Sequence, residues 1–243
     1  LDFDGVICDG LREYFQVAWR AHCRLWSSDI EVPPMGLAEI FYRLRPIVET
    51  GWEMPVVIHA LRSGFSEQEI LRDWPNLSLE LLSHYHLAPP AVAQIVDGLR
   101  DEWIMQDLAG WLGEHRFYPG VIDRLKPMPN WLIISTKESR FIQQLLAQAG
   151  IEISGDRIFG KEQNRPKTDV LKELQPQHGT IWFIEDRFKT LEKVNQQPDL
   201  AQVELFLADW GYNLPIERAH AMQSERIHVV NLTQFSQDFS QWV

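Results

Sequence analysis

The sequence predicts an α/β protein: a layered core with a mostly parallel sheet, interrupted by an inserted all-helical domain. Three observations predict it. From Phe117 onward, short apolar runs alternate with amphipathic stretches, the pattern of parallel strands covered by helices. Between residue 11 and about residue 114, apolar residues recur at three- and four-residue spacing with no convincing β run. Residues 1–10 read as the end of a buried strand running into a Gly-containing loop. The expected division is therefore 1–10 plus 115–243 for the α/β core and 11–114 for the helical domain.

The elements follow in order. Leu11–Trp26, Gly36–Val48, Ser66–Trp74, Ser78–His84 and the long stretch Pro89–Leu112 read as helices, punctuated by Pro33-Pro34, Pro75 and Pro89-Pro90. Trp131–Ser135 (WLIIS) is a short apolar run typical of a buried parallel strand. Glu138–Ala149 is an amphipathic helix closed by Gly150. A short strand at Arg157–Phe159, a helix at Lys167–Leu174 and a strong strand at Thr180–Ile184 (TIWFI) come next. Helix Arg187–Asn195 and strands Val203–Ala208 and Arg226–Val230 complete the core. In open parallel sheets ligands bind beyond the carboxyl ends of the strands. An insertion leaving the end of strand one is expected over such a site.

Composition narrows the function. The chain has 243 residues, 45% hydrophobic and 23% charged, which suits a globular protein and excludes disorder. Lys and Arg number 23 against 34 Asp and Glu, a net charge of −11, so no nucleic-acid or anionic-membrane partner is expected. Cys8 and Cys23 cannot form a disulfide framework, and Cys8 sits in an apolar run as a small buried residue would. That favours a reducing, cytoplasmic location. No apolar run approaches the ~18 residues of a membrane span, and no signal peptide is visible. The chain opens at Leu1 directly on a motif that needs a full strand before it, so further residues are expected to precede it.

The chemistry-bearing residues fall at strand ends. Asp2 and Asp4, in Asp2-Phe3-Asp4-Gly5, are two apart and point to the same side. Such a pair can hold a divalent cation or divide labour as nucleophile and acid/base. After them Gly5 opens a loop whose backbone N–H groups can face an anion. Acidic turns after strands are also common. Ser135-Thr136 closes WLIIS, where a hydroxyl is most often a helix cap. Glu185-Asp186 closes TIWFI, and Lys167 begins a helix between the two. A lone lysine is usually solvated and a Glu-Asp pair usually a turn. Their joint order is what makes a site.

This ordered set resembles the haloacid dehalogenase-like superfamily. LDFDGVICD is similar to its first motif, IISTKE to the second, RPKTDVL to the third and FIEDRFKTL to the fourth. The helical insertion takes the position of the family's type 1 cap, and FYPGVIDRL (Phe117–Leu125) resembles the segment returning to the core. DWGY (Asp209–Tyr212) resembles the tail of the next strand. The resemblance implies a three-layer Rossmann-like core and a phosphatase acting on a small phosphorylated metabolite. Asp2 would be the nucleophile and Asp4 the acid/base. Ser135 and Lys167 would bind the phosphoryl oxygens, with the Gly5 and Thr136 positions also on the substrate. Mg²⁺ would be held by Asp2, the Asp4 carbonyl and Asp186.

Departures from the family pattern matter. The acid commonly found four residues after Asp186 is Thr190 here, so Glu185 is a second candidate ligand. Arg165 competes with Lys167 for the third motif; the compact ammonium of Lys167 is preferred. Asp4 favours phosphoryl transfer over dehalogenation, since a departing halide needs no proton. A phosphonatase would need a cap lysine, and residues 11–116 contain none. A phosphoglucomutase-like transferase and a catalytically idle binding protein stay open. Arg43 and Arg45 are candidates for reading an anionic group of the substrate, against a structural Arg–Glu network. The tryptophans at 19, 26, 52, 74, 103 and 111 are expected in the core. Oligomeric state is left open by the sequence.

Overall fold

The computed structural model describes residues 1–26, 32–239 and 242. The chain divides into two compact units, Gly10–His115 and Leu1–Asp9 with Arg116–Val243.

The first unit is helical. Helices α1 (Leu11–Trp26), α2 (Leu37–Leu44), α3 (Glu53–Arg62), α4 (Glu67–Arg72), α5 (Trp74–His84), α6 (Pro89–Gln106) and α7 (Leu108–Gly113) follow one another. The apolar stripe of α1 buries Phe15, Val17, Ala18 and Trp19. Trp74 and Trp111 are buried as expected, whereas Trp26, Trp52 and Trp103 are partly exposed. Helix boundaries differ from the expectation at several places, and two of them have a clear local cause. Pro75 lies in the first turn of α5 rather than between helices, because its missing N–H costs nothing there. The stretch 89–112 breaks at Asp107, whose side chain accepts from Gly110 N (2.8 Å) and starts α7. Buried Glu13 is paired with Arg100 (2.7 Å) and accepts from the Trp111 indole (3.2 Å).

The second unit is the α/β layer. Strands β1 (Cys8–Asp9) and β2 (Arg116–Phe117) form an antiparallel pair where the chain leaves and returns. After α8 (Val121–Leu125), β3 (Ile133–Ile134) pairs in parallel with β4 (Ile158–Phe159) across α9 (Ser139–Gln148). Helix α10 (Lys167–Leu174) leads to β5 (Ile181–Glu185), and α11 (Phe188–Asn195) to β6 (Val203–Ala208). Helix α12 (Pro215–Met222) leads to β7 (Ile227–Val230), before α13 (Leu232–Phe235). The order β5-β6-β7 is parallel throughout. Residues 1–2 join the two sheets: Ile134 N donates to the Leu1 carbonyl, and Asp2 N donates to Ile184 O, both at 2.9 Å. The layer thus reads β4-β3-(1–2)-β5-β6-β7.

The sheet is covered on both faces, which is why its strands read as continuous apolar runs. Leu205 and Leu207 pack in one cluster with Val170, Leu174, Leu191 and Val194. Phe206, between them, instead stacks on Trp182 (4.8 Å) and meets Trp242. A largely apolar cleft of about 620 Å³ opens beside β3 and β5, with Leu1, Trp131, Trp182 and Phe239 among its lining. None of the strand-end acids or lysines lines it.

Candidate functional site

Two segments deliver three carboxylates to one place. Residues 1–2 lie between β3 and β5, so the chain leaves the layer at Asp2 beside the end of β5, where Glu185 and Asp186 follow. Ligand atoms of Asp2, Glu185 and Asp186 all lie within 4.8 Å of one another, and all three side chains are buried. Lys167, at the first turn of α10, reaches Asp2 Oδ2 (2.8 Å) and Glu185 Oε2 (2.7 Å) with the same ammonium. The structure therefore brings together Asp2, Lys167, Glu185 and Asp186. Arg165 pairs instead with Glu173.

Each carboxylate is fixed by donors. Asp2 Oδ1 accepts from Phe3 N (2.7 Å). Glu185 uses its second oxygen on Arg187 N (3.1 Å). Asp186 Oδ2 accepts from Tyr212 N (2.7 Å), and Asn213 Nδ2 donates to the Asp186 and Ala208 carbonyls (2.9 and 2.8 Å). The turn after β6 thus holds the turn after β5. Close packing makes two glycines necessary. A Cβ on Gly5, at φ +84°, would fall 2.1 Å from Asp186 Oδ2, and one on Gly211 would fall 2.2 Å from the Asp186 Cβ.

The Gly5 N–H itself donates to Cys8 O (2.9 Å) within the loop, and the residue supplies space for Asp186.

Electrostatics follow from burial. Removal from water pushes the Asp186 carboxyl well above the usual range; Glu185 and Asp2 add repulsion that Arg187 and the Tyr212 N–H only partly offset. Burial also raises Glu185, against the pull of Lys167. For Lys167, burial lowers the ammonium, but Asp2 and Glu185 outweigh it and hold it above its ordinary value. Four carboxylates, counting Asp4, face two ammonium groups, those of Lys167 and Lys137. Fully ionised, these carboxylates outnumber the ammonium groups among them, an excess of negative charge that Arg187 only partly offsets.

Ser135 is buried at the end of β3, where its Oγ accepts from Lys137 N (3.3 Å). Thr136, next to it, is exposed. Asp4 is held by Lys137, whose Nζ lies 3.1 Å from Oδ1. Sequence reasoning missed Lys137, although it stands two residues after Ser135 in the quoted IISTKE. The alternation that puts Asp2 and Asp4 on one side applies to Ser135 and Lys137 as well. Also missed were the Tyr212 and Asn213 contacts, which no spacing rule reveals.

Arg43 and Arg45 belong to the helical unit. Arg43 makes a two-bonded pair with Glu67 (3.0 and 2.5 Å), not with Glu49 or Glu53. Arg45 donates to Val48 O (2.9 Å) and lies over the Tyr14 ring (4.8 Å).

No family model matches the chain, and no curated protein does. Solved structures do. A haloacid dehalogenase-like family hydrolase from Streptococcus pneumoniae aligns at TM-score 0.53 and 15% identity, over 93% of this chain and 90% of that one. A protein described as a haloacid dehalogenase-like hydrolase from Bacteroides fragilis aligns at 0.54 and 17%, over 96% of both. A predicted phosphatase from Clostridium acetobutylicum aligns at 0.52 and 15%, over 97% and 94%. The chain therefore has the haloacid dehalogenase-like fold. Among the described residues no helix is long and apolar enough to cross a membrane.

Proposed function

We propose that the protein is a haloacid dehalogenase-like hydrolase, a Mg²⁺-dependent phosphatase that acts on a small phosphorylated metabolite through an aspartyl-phosphate. The observation that carries this reading is the buried cluster of Asp2, Glu185 and Asp186 with one ammonium bridging the first two. A fold gains little from burying several like charges, so their convergence points to chemistry. The fold neighbours described as hydrolases and as a predicted phosphatase support the same reading.

The donor set suits magnesium: hard oxygen ligands, few of them carboxylates, with room for waters and phosphate oxygens. Asp2 and Asp186 are the ligands of choice, with the Asp4 carbonyl. Glu185 holds the Lys167 ammonium on one oxygen and the Arg187 N–H on the other, and so aims Lys167 at Asp2. When bound, the cation would neutralise charge on the phosphoryl group and relieve repulsion among the acids.

An Asp2 carboxylate oxygen attacks phosphorus, the P–O ester bond breaks, and Asp4 gives its proton to the departing alkoxide. Water then attacks phosphorus, Asp4 takes its proton, and the P–O bond to Asp2 breaks, releasing phosphate. Lys167 and the Ser135 hydroxyl hold the equatorial oxygens. A panel of phosphate monoesters, assayed with and without Mg²⁺, tests this. Turnover that needs the metal is expected; no turnover of any ester would favour an idle binding protein.

A further inference from the structure

Lys137 has no role in the reaction as set out above, yet its side chain is only 8% exposed. Burying an ammonium costs several kcal/mol before any pairing, and a methionine of similar length would pack at no such cost. The position calls for another explanation, and the contacts supply one. The backbone of Lys137 is anchored on both sides: its N–H donates to Ser135 Oγ (3.3 Å), and its carbonyl accepts from Lys161 N (3.0 Å). From that fixed base the side chain reaches Asp4, with Nζ 3.1 Å from Oδ1 and 3.5 Å from Oδ2. Asp4 stands on the loop that turns at Gly5, so the lysine fixes a carboxyl that the backbone alone leaves able to rotate.

We infer that Lys137 is a positioning residue for proton transfer: it holds the Asp4 carboxyl in line with the ester oxygen, as Lys167 serves Asp2. This rests on the proposed phosphatase reading. Lys137 itself makes and breaks no bond. The proton passes from Asp4 to the leaving oxygen as the ester bond breaks, and returns from water in the second step. A misaligned Asp4 harms only the part of the barrier that needs that proton. Esters whose alcohol leaves readily as an anion are then little affected, and esters of basic alcohols are strongly affected. A lysine kept for folding, or one that only binds phosphate, would act on both alike.

The test compares kcat/KM for p-nitrophenyl phosphate and phenyl phosphate in the wild type, Lys137→Met, Lys137→Arg and Asp4→Asn, with Mg²⁺ present. General acid catalysis is worth roughly 10²–10⁴-fold. Lys137→Met is therefore expected to lose about tenfold or more on phenyl phosphate beyond its loss on p-nitrophenyl phosphate. Asp4→Asn should show the same selectivity, and Lys137→Arg should recover most of it. Equal losses on both esters in Lys137→Met, or none, would overturn the assignment alone. Should Lys137→Met not fold, Lys137→Gln carries the comparison, and a folded glutamine variant with wild-type selectivity overturns it. A wild type inactive on both esters brings down the phosphatase reading, and this assignment with it.

Discussion

The two units bury charge in opposite ways. In the helical unit Glu13 is sealed from water, but Arg100 and the Trp111 indole answer it, and the account closes locally. His22 and His59 are buried there too, with both Nδ1 atoms unpartnered, and they stay neutral: burial lowers each to about 4, helped by His59 and Arg62 for the first and His84 for the second. In the α/β unit, Asp2, Glu185 and Asp186 converge, one lysine bridges only the first two, and burial pushes the Asp186 carboxyl well above the usual range. The first arrangement is complete as it stands. The second leaves the Asp186 carboxylate without an ammonium partner among the contacts of Lys167, and that imbalance separates a site from a core.

The comparison can be broken by mutation. Asp2→Asn should have the largest effect, a loss of turnover exceeding about a thousandfold, because the amide cannot accept the phosphoryl group. Its circular dichroism should be unchanged; a variant that retains activity would remove Asp2 from the site. Glu13→Ala should cost about 3–5 kcal/mol in denaturant unfolding, since it leaves the Arg100 charge buried and unpaired. A near-neutral result would mean that the helical unit buries charge no more strictly than the site.

Acid should act on the histidines. Their folded pKa values lie below the unfolded ones, so the unfolded chain binds more protons between about pH 6.5 and pH 4. The stability they permit is full above that window and falls as pH drops through it, by on the order of 2 kcal/mol per ring. A His22→Phe variant should flatten that slope in melts across this range. Asp186→Asn should do the reverse of Glu13→Ala: it removes repulsion, so the metal-free protein should melt about as high as wild type or slightly higher. On the proposed Mg²⁺ site, added metal should raise the melting point of the wild type and not that of this variant. The smallest effect belongs to Arg43→Ala, whose pair with Glu67 is exposed to solvent and screened. Stability should barely change, and KM then decides whether Arg43 reads the substrate.

Much of this was legible beforehand where a residue's neighbours in sequence set its environment. Helices Leu11–Trp26 and Lys167–Leu174 and strand Val203–Ala208 have the bounds their apolar spacing predicts. Asp2, Lys167, Glu185 and Asp186 were legible because each stands at a strand end or helix start, and a parallel layer gathers such ends on one side. Where two local signals competed, the pattern misled. Pro75 opens a helix instead of closing one, and Asp107 splits a stretch that hydrophobic spacing runs together. Spacing also gave no sign that the Gly5 N–H would be taken by the Cys8 carbonyl within its own loop.

The sequence by itself determined the alternation of strands and helices, the place of the helical insertion and the acids that end two segments of the layer, because those depend on periodicity and on neighbours along the chain. Only the tertiary structure decided the partnerships: Lys167 between Asp2 and Glu185, Lys137 on Asp4, and the turn after β6 clasping Asp186. The physical reason is distance. Residues far apart in the chain meet only after the layer has closed, and whether an ammonium finds one carboxylate or another turns on ångströms that no spacing in the sequence encodes.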